Sequence, residues 1–286
     1  MIPRALPALR PSTPRLAVLV ALAAGVLIAL VASPAALADT FTPESGGSPN
    51  ADSIDSLYKI ILYVAIVIFI IVEGTLIWSL FKYRARRGGP EAAQIHGNTP
   101  LELGWTIGAA AILVVLTIVT FVYLGDIKNP PASSGATAQV ATIDQPDPPD
   151  DKALEIDVNG QQFLWRYVYP NGAVGYYNLV VPVGRTVILK LTASDVIHSW
   201  WIPKFGGKMD AVPGYTNKTW FQAKKTGTYI GQCAELCGSG HADMRATVTA
   251  VEPEEYTAYV ERKKQEIESA GEALAQQREE REQTTE

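Results

Sequence analysis

Two long apolar runs constrain this chain more than any other feature of its sequence. One run extends from Ile60 to Phe81 and the other from Leu103 to Leu124, and each is long enough to cross a bilayer as a helix. Because the hydrocarbon core offers no water to the backbone, both runs are predicted to be helical. Only 19% of the residues are charged, against about 25% in soluble domains, which also favours a membrane protein.

The connection between the two runs is predominantly basic. Its basic residues are Lys82, Arg84, Arg86 and Arg87, and its acids are Glu91 and Glu102. Short connections rich in Lys and Arg stay in the cytoplasm. Two crossings then return the chain to the outside, so we expect everything after Leu124 to be extracytoplasmic.

The N-terminus has the composition of a secretory signal. Three arginines, an apolar run and a small-x-small site follow one another: Arg4, Arg10 and Arg15, then Leu16–Ala32, then Ala36-Leu37-Ala38. We therefore predict a cleaved signal peptide over residues 1–38 and an outer segment over residues 39–56. A first transmembrane helix is the alternative, because the apolar run is only slightly short for a span.

Beyond the predicted hairpin (57–125) and a linker rich in Pro and acids (126–153), the hydrophobic period changes. Residues 154–252 contain short segments in which apolar and polar residues alternate, as in half-buried strands. Leu154, Ile156 and Val158 begin the series, and further strands are predicted at Phe163–Tyr169, Tyr177–Val181, Thr186–Leu191, Lys218–Gln222, Gly227–Gly231 and Ala246–Val251. Many short strands without helices between them predict an antiparallel sandwich or barrel. The charged tail over 253–286 is predicted to be a solvated helix.

The scarce residue types are concentrated in one loop. The chain has two Cys, three His and three Met, and four of these eight residues are Cys233, Cys237, His241 and Met244. Thiolate, imidazole and thioether are soft ligands, which favour copper over hard cations. A second histidine, His198, lies upstream at the end of a predicted strand and extends the candidate ligand set.

Three other interpretations of this loop remain open. Two extracytoplasmic cysteines commonly form a disulfide, but a disulfide leaves His241 and Met244 without a role. Zinc normally takes four Cys or His ligands and does not use Met. A mononuclear blue-copper site uses two His, one Cys and a weak Met, which leaves one cysteine over. We favour a dinuclear copper centre, in which both cysteines bridge two ions and each ion has one histidine.

The motif Cys-x-Glu-x-Cys-Gly-x-x-His-x-x-Met, which begins at Cys233, resembles subunit II of cytochrome c oxidase with its CuA centre. The resemblance also includes Asp-Val-x-His-Ser from Asp195, His-Gly-Asn-Thr from His96, Glu-x-x-Trp-Thr from Glu102 and Lys-x-Asp-Ala-Val-Pro-Gly from Lys208. It implies an all-β cupredoxin-like Greek-key sandwich attached to a two-helix transmembrane hairpin.

The resemblance implies a role for each residue of the ligand set. His198 and His241 would bind one copper each. Cys233 and Cys237 would bridge both coppers. Met244 would be the weak ligand of one copper, and the backbone carbonyl of Glu235 that of the other. The Glu235 side chain would face a magnesium ion shared with subunit I.

A function follows from the same resemblance. The chain would be subunit II of an aa3-type cytochrome c oxidase in the bacterial plasma membrane, an oxidoreductase and translocase. It would accept single electrons from cytochrome c, soluble or membrane-bound, and pass them to the haem-bearing subunit I for oxygen reduction coupled to proton pumping. Subunit III is a further expected partner. The chain has no Cys-x-x-Cys-His motif, so no haem is expected in it. Its net charge of -5 argues against nucleic acid as a binding partner.

Some positions depart from the family pattern or carry a second role. Phe163 stands where many relatives have the first Trp of a Trp-x-Trp pair that receives the electron, and Trp165 keeps the second place. Tyr215 replaces the Arg that follows Pro-Gly in the family.

Two acidic residues are candidates for further roles. Asp195 is a candidate docking residue for a basic donor. Glu102 is a candidate for the cytoplasmic mouth of a proton pathway, or a helix-start residue that interacts with the helix dipole.

Three other functions compete with this one. A copper-delivery or thiol-redox protein would need no Met at the fourth position and would favour a mixed α/β pattern. A quinol oxidase subunit of the same shape would lack the copper ligands. The CuA domain of a nitrous-oxide reductase would lack the two membrane spans.

Overall fold

The computed structural model describes residues 42–84, 93–131 and 153–285. The signal peptide predicted over 1–38 and most of the predicted linker lie outside these residues. The helices are α1 (Pro49–Lys82), α2 (Thr99–Lys128) and α3 (Pro253–Thr285). The two predicted membrane spans lie inside α1 and α2.

Helices α1 and α2 pack against each other and expose most of their apolar side chains. Both are long enough and apolar enough to cross a membrane. Each has Pro in its first turn, where the missing N–H costs no intrahelical hydrogen bond. Because so large an apolar surface would be unfavourable in water, the hairpin is the membrane anchor of the chain.

Ten strands follow α2 and form two five-stranded sheets. They are β1 (Leu154–Gln161), β2 (Leu164–Val168), β3 (Val174–Tyr176), β4 (Asn178–Pro182), β5 (Thr186–Ala193), β6 (His198–Trp201), β7 (Met209–Ala211), β8 (Asn217–Gln222), β9 (Gly227–Cys233) and β10 (Arg245–Val251). The first sheet has the order β3-β2-β1-β5-β8 and the second has the order β4-β10-β9-β6-β7. Buried side chains from both sheets form a single core. The predicted hairpin and β-sandwich are therefore confirmed.

Both sheets are mixed, so the predicted antiparallel pairing holds for most strand pairs but was wrong for two of them. Strands β1 and β5 pair in parallel, with Leu154 opposite Val187, and β4 and β10 also pair in parallel. Between β1 and β5 the chain enters the second sheet as β4, and this crossover allows the parallel return. Strands β3, β6 and β7 were not predicted, because alternation cannot be recognised in segments of three or four residues.

The two ends of the hairpin are bonded to strand β8. The Gln222 N–H donates to Ser48 Oγ at 3.1 Å, and Asn50 Nδ2 donates to the Trp220 carbonyl at 3.3 Å. The Trp220 indole in turn donates to the carbonyl of Lys128, the last residue of α2, at 3.0 Å. These five residues form what we call the β8 junction. Both ends of the hairpin therefore have hydrogen-bond partners in strand β8.

Helix α3 is attached to the sandwich only near its start. Val260 is buried, and the rings of Tyr256 and Tyr259 contact the ring of Tyr169. Asn171 Nδ2 donates to the Val260 carbonyl at 3.1 Å. Most side chains beyond this point are exposed, in accord with the solvated helix predicted for the tail.

We expect Leu189→Ala to lower the free energy of unfolding of the sandwich by about 2–5 kcal/mol, because it leaves a cavity at a fully buried position. Leu274→Ala removes the same atoms from a side chain of α3 that is 57% exposed, and its effect is expected to stay within about 0.5 kcal/mol. Denaturant unfolding of the purified chain in detergent, followed by tryptophan fluorescence, measures both. Equal losses in the two variants would contradict this description of the core.

Candidate metal centre

Two neighbouring strands of the second sheet bring the candidate ligands together. Strand β9 ends at Cys233, and the chain returns to β10 through the segment 234–244, which we call the ligand loop. His198 begins β6, and the expectation that it ends a strand was wrong, because residues 194–196 bend between β5 and β6. Trp200 of β6 is the register partner of Cys233, so the start of β6 lies beside the end of β9.

Sulfur and imidazole nitrogen atoms face one another at this place. Within the described ranges, the ligand atoms of His198, Cys233 and Cys237 all lie within 4.8 Å of one another. The two Sγ atoms are 3.9 Å apart, and His198 Nδ1 lies 3.9 Å from Cys233 Sγ. His241 Nδ1 lies 3.5 Å from Cys237 Sγ, and Met244 Sδ lies 3.9 Å from the same sulfur. The structure thus brings together all five predicted side-chain ligands.

Backbone hydrogen bonds fix the shape of the ligand loop. The Cys233 N–H donates to the Met244 carbonyl at 2.8 Å, which closes the loop at its base. The Ala234 N–H donates to the Ser199 carbonyl at 2.8 Å and ties the loop to β6. The Glu235 carbonyl turns inward to 3.2 Å from Cys233 Sγ, whereas the rest of Glu235 is exposed.

The donor set matches a soft metal ion. Both cysteines are free thiols, so the two do not form the alternative disulfide. Cys233, Cys237, Met244 and His198 are each at most 4% exposed. Buried thiolate, imidazole and thioether groups suit copper, whereas magnesium and calcium take oxygen ligands. The residues present therefore fit a copper site. The described residues after α2 form a β-sandwich and not the mixed α/β fold of a thiol-redox protein.

Asp195 holds the imidazole of His198 from the far side. Its Oδ1 lies 2.9 Å from His198 Nε2, which leaves Nδ1 directed toward Cys233. Burial raises the pKa of Asp195, but hydrogen bonds from His198 and from the backbone N–H groups of Gln162 and Val196 outweigh it and hold the pKa below its usual value. Asp195 was predicted as a docking residue, and it is exposed, but its carboxylate is also a hydrogen-bond partner of a ligand.

Gln162 is a site residue that sequence reasoning missed. Its side-chain Nε2 donates to the Cys237 carbonyl at 2.6 Å, and its backbone N–H donates to Asp195 Oδ2 at 2.7 Å. Phe163 packs against two glycines of the ligand loop: a Cβ atom built on Gly238 or Gly240 would lie 3.2 Å or 2.5 Å from the ring. The only sequence signal for these contacts is the pair of glycines in the loop sequence Cys-Gly-Ser-Gly-His, because glycine lets a neighbouring side chain lie close to the backbone.

The two aromatic residues proposed to receive electrons occupy different environments. Phe163 is partly buried beside the ligand loop. Trp165 is fully buried, and its ring centroid lies 5.9 Å from that of His198 at an interplanar angle of 67°. Tyr215, which replaces the family's Arg, is 58% exposed.

Glu102 lies at the start of α2, at the opposite end of that helix from the β8 junction. Its Oε1 accepts from the Asn98 N–H at 3.0 Å, while Asn98 Oδ1 accepts from the Leu101 N–H at 3.2 Å. Reciprocal bonds of this kind satisfy the free N–H groups of a helix start. The structure thus gives Glu102 a capping role and leaves a proton-pathway role as a prediction.

Two family models match most of the described chain. Residues 174–251 match the model described as cytochrome C oxidase subunit II, periplasmic domain. Residues 36–122 match the model described as cytochrome C oxidase subunit II, transmembrane domain. The two matches cover the sandwich from β3 to β10 and nearly all of the hairpin.

Curated relatives and solved structures carry the same description. Cytochrome c oxidase subunit 2 of Alkalihalophilus pseudofirmus is 38% identical over 227 residues, which cover 78% of this chain and 62% of that protein. The chain thus spans less than two thirds of that relative. Cytochrome c oxidase subunit 2 of Thermostichus vulcanus is 33% identical over 273 residues, which cover 83% of each protein. The periplasmic domain of subunit II of cytochrome oxidase (CoxB) of Bradyrhizobium japonicum is 38% identical and covers 40% of this chain and 94% of that chain, with a TM-score of 0.39.

Alkylation of the metal-free chain should show an unusually basic Cys237. Burial, and after it the neighbouring Cys233, raises the pKa of Cys237 to about 11. At neutral pH the group is therefore a protonated, slowly reacting thiol, and its alkylation rate is expected to reach half of its maximum near pH 11. Mass spectrometry after short exposure to iodoacetamide measures the rate at Cys237. A midpoint near the ordinary thiol pKa of about 8.5 would contradict this. Cys233→Ser should move the midpoint down only in part, because burial remains.

Proposed function

The chain belongs to the cytochrome c oxidase subunit II family, and on this premise we propose that it is the electron-accepting copper subunit of an aa3-type terminal oxidase. The observation that carries the proposal is the pair of buried thiols, 3.9 Å apart, each with its own imidazole nitrogen. A mononuclear site would use only one of these thiols. Two thiols and two imidazoles divide evenly between two copper ions.

We propose a role for each ligand. Cys233 and Cys237 would bridge the two ions as thiolates. His198 and His241 would bind one ion each through Nδ1, the nitrogen that faces a cysteine sulfur in each case. The weak ligands would be the Met244 thioether and, for the second ion, the backbone carbonyl near Cys233, which belongs to Glu235.

The fold would keep the positions of the ligand atoms nearly unchanged when the charge of the copper pair changes. The ligand side chains are buried among strands, the loop is closed by backbone hydrogen bonds, and His198 is held by Asp195. Partners of this kind orient metal ligands and tune the metal. When bound, the copper pair would supply one-electron redox chemistry, with a reduced cytochrome c as the electron donor and an oxidised haem of subunit I as the acceptor.

We assign the path of the electron to two aromatic residues. Phe163 is the candidate first contact for the donor, because it lies partly exposed beside the ligand loop. Trp165 is the candidate next residue, because its ring meets the ring of His198 edge to face. Asp195 carries negative charge near the loop, which favours a basic donor such as cytochrome c.

The remaining partners follow from the family. Subunit I would hold the haem groups and carry out oxygen reduction coupled to proton pumping, and subunit III would complete the complex. The Glu235 carboxylate would contribute to a magnesium site shared with subunit I, and Glu102 would lie at the cytoplasmic mouth of a proton pathway. In the chain alone both carboxylates belong to exposed residues.

We further propose that the sandwich lies on the extracytoplasmic face of the bacterial plasma membrane. The sequence between α1 and α2 is predominantly basic, as is typical of cytoplasmic connections. Both ends of the hairpin are bonded to the sandwich at the β8 junction, which supports a sandwich across the membrane from that connection.

Copper loading of the purified chain tests the dinuclear site. We expect two coppers per chain and a seven-line hyperfine pattern in the EPR spectrum, since one electron is shared by two equivalent copper nuclei. Cys237→Ser should abolish this pattern, because it removes one bridging sulfur. Met244→Leu should keep the two coppers, because only a weak ligand is lost. One copper per chain in the unsubstituted protein would refute the proposal.

Labelling with a membrane-impermeant maleimide tests the orientation. Ile95→Cys lies in the connection before α2 and is 80% exposed, and Leu274→Cys lies on α3 and is 57% exposed. In spheroplasts we expect label at residue 274 only, and label at residue 95 after the membrane is permeabilised. The unsubstituted chain, whose two cysteines are buried, is the control. The reverse pattern would place the sandwich in the cytoplasm.

A further inference from the structure

The turn between β1 and β2 contacts both segments that carry candidate metal ligands. The Gln162 backbone N–H donates to Asp195 Oδ2 at 2.7 Å, and Asp195 Oδ1 lies 2.9 Å from His198 Nε2. The Gln162 side chain donates to the Cys237 carbonyl at 2.6 Å. One residue is therefore bonded to the loop before β6 and to the ligand loop after β9.

Phe163 completes this contact with a packing interaction. Its ring occupies the space into which side chains at Gly238 and Gly240 would project, since a Cβ there would lie 3.2 Å and 2.5 Å from ring atoms. The ring thus covers the ligand loop on both sides of Ser239. The ligand loop, in turn, can approach the ring this closely only because it has glycine at these two positions.

The contact also joins the two sheets. Strands β1 and β2 belong to the first sheet, whereas the ligand residues lie on or beside β6, β9 and β10 of the second. The backbone bonds of the second sheet leave the middle of the ligand loop without a strand partner. Gln162 and Phe163 supply that partner from the opposite sheet.

We propose that Gln162 and Phe163 form a clamp that holds the metal-free ligand loop in its metal-binding arrangement and slows the loss of bound copper. Neither residue is a ligand; Gln162 positions Cys237 through its carbonyl and His198 through Asp195. Ligands that are held in place before the metal arrives lose less conformational freedom on binding. The effect on copper rests on the proposed function, whereas the effect on the metal-free loop does not.

Two matched substitutions test the clamp in the full chain, purified in detergent. Gln162→Leu keeps the backbone N–H to Asp195 and removes only the donor to Cys237. Gln161→Leu, the same change one residue earlier, is the control, because that side chain bonds to Asn159. After copper loading, we expect Gln162→Leu to lose copper to a Cu(I) chelator about tenfold faster than the unsubstituted chain. We expect its copper hyperfine splitting to change as well, which a general loss of stability would not cause.

A second measurement uses the metal-free chain. In hydrogen exchange followed by mass spectrometry, we expect Gln162→Leu to raise the exchange of residues 234–244 roughly fivefold, because one hydrogen bond to the loop is lost. Exchange in β1 and β5 should stay unchanged. Phe163→Leu should accelerate exchange in the same segment through the loss of ring contact with the two glycines.

The outcomes separate the clamp from the proposed function. If Gln162→Leu matches Gln161→Leu in both copper loss and loop exchange, the clamp is overturned while the dinuclear site stands. If the unsubstituted chain binds no copper pair, the proposed function fails, and the exchange of the metal-free loop alone decides the clamp. Faster loop exchange in Gln162→Leu and Phe163→Leu but not in Gln161→Leu supports it.

Discussion

The backbone hydrogen bond from the Cys233 N–H to the Met244 carbonyl, 2.8 Å long, sets the geometry on which the candidate metal centre depends. It continues the antiparallel pairing of β9 and β10, in which Arg245 faces Gln232, by one further step. Because the pairing is fixed, the loop between the two strands begins and ends at one point, and Cys237 and His241 must turn back toward Cys233. The distances between the candidate ligand atoms therefore depend on the strand register as much as on the side chains that carry these atoms.

Local sequence predicted most of the candidate ligand set, because four candidate ligands fall within twelve consecutive positions and need only one loop to meet. His198 was found through its motif, although its place at the start of β6 was not. Gln162 could not be found in this way, since its bond to Cys237 joins residues 75 positions apart and from opposite sheets. The parallel pairs escaped prediction for a related reason: alternation shows that a strand has one buried face but not which neighbour it takes.

The two membrane helices also show which features local sequence can predict and which it cannot. Their existence follows from composition and length alone, because a bilayer demands an apolar helix of that size. The β8 junction does not follow, since it joins Ser48 to Gln222 across 174 positions by a single hydrogen bond. Buried polar groups such as Ser48 and Asn50 are stable there because they have hydrogen-bond partners in the sandwich. A sandwich separated from the hairpin would expose these partners to water.

The β8 junction also imposes an order on synthesis. Ser48 and Asn50 leave the ribosome before either membrane helix, whereas their partners in β8 are made more than 160 residues later. Until then the side chains of Ser48 and Asn50 can bond only to each other, to their own segment or to water. Contacts between such distant residues form late, after the loops that separate them have closed. The junction is thus completed only after β8 has been made, and it joins a segment made before the first membrane span to a strand made after the second.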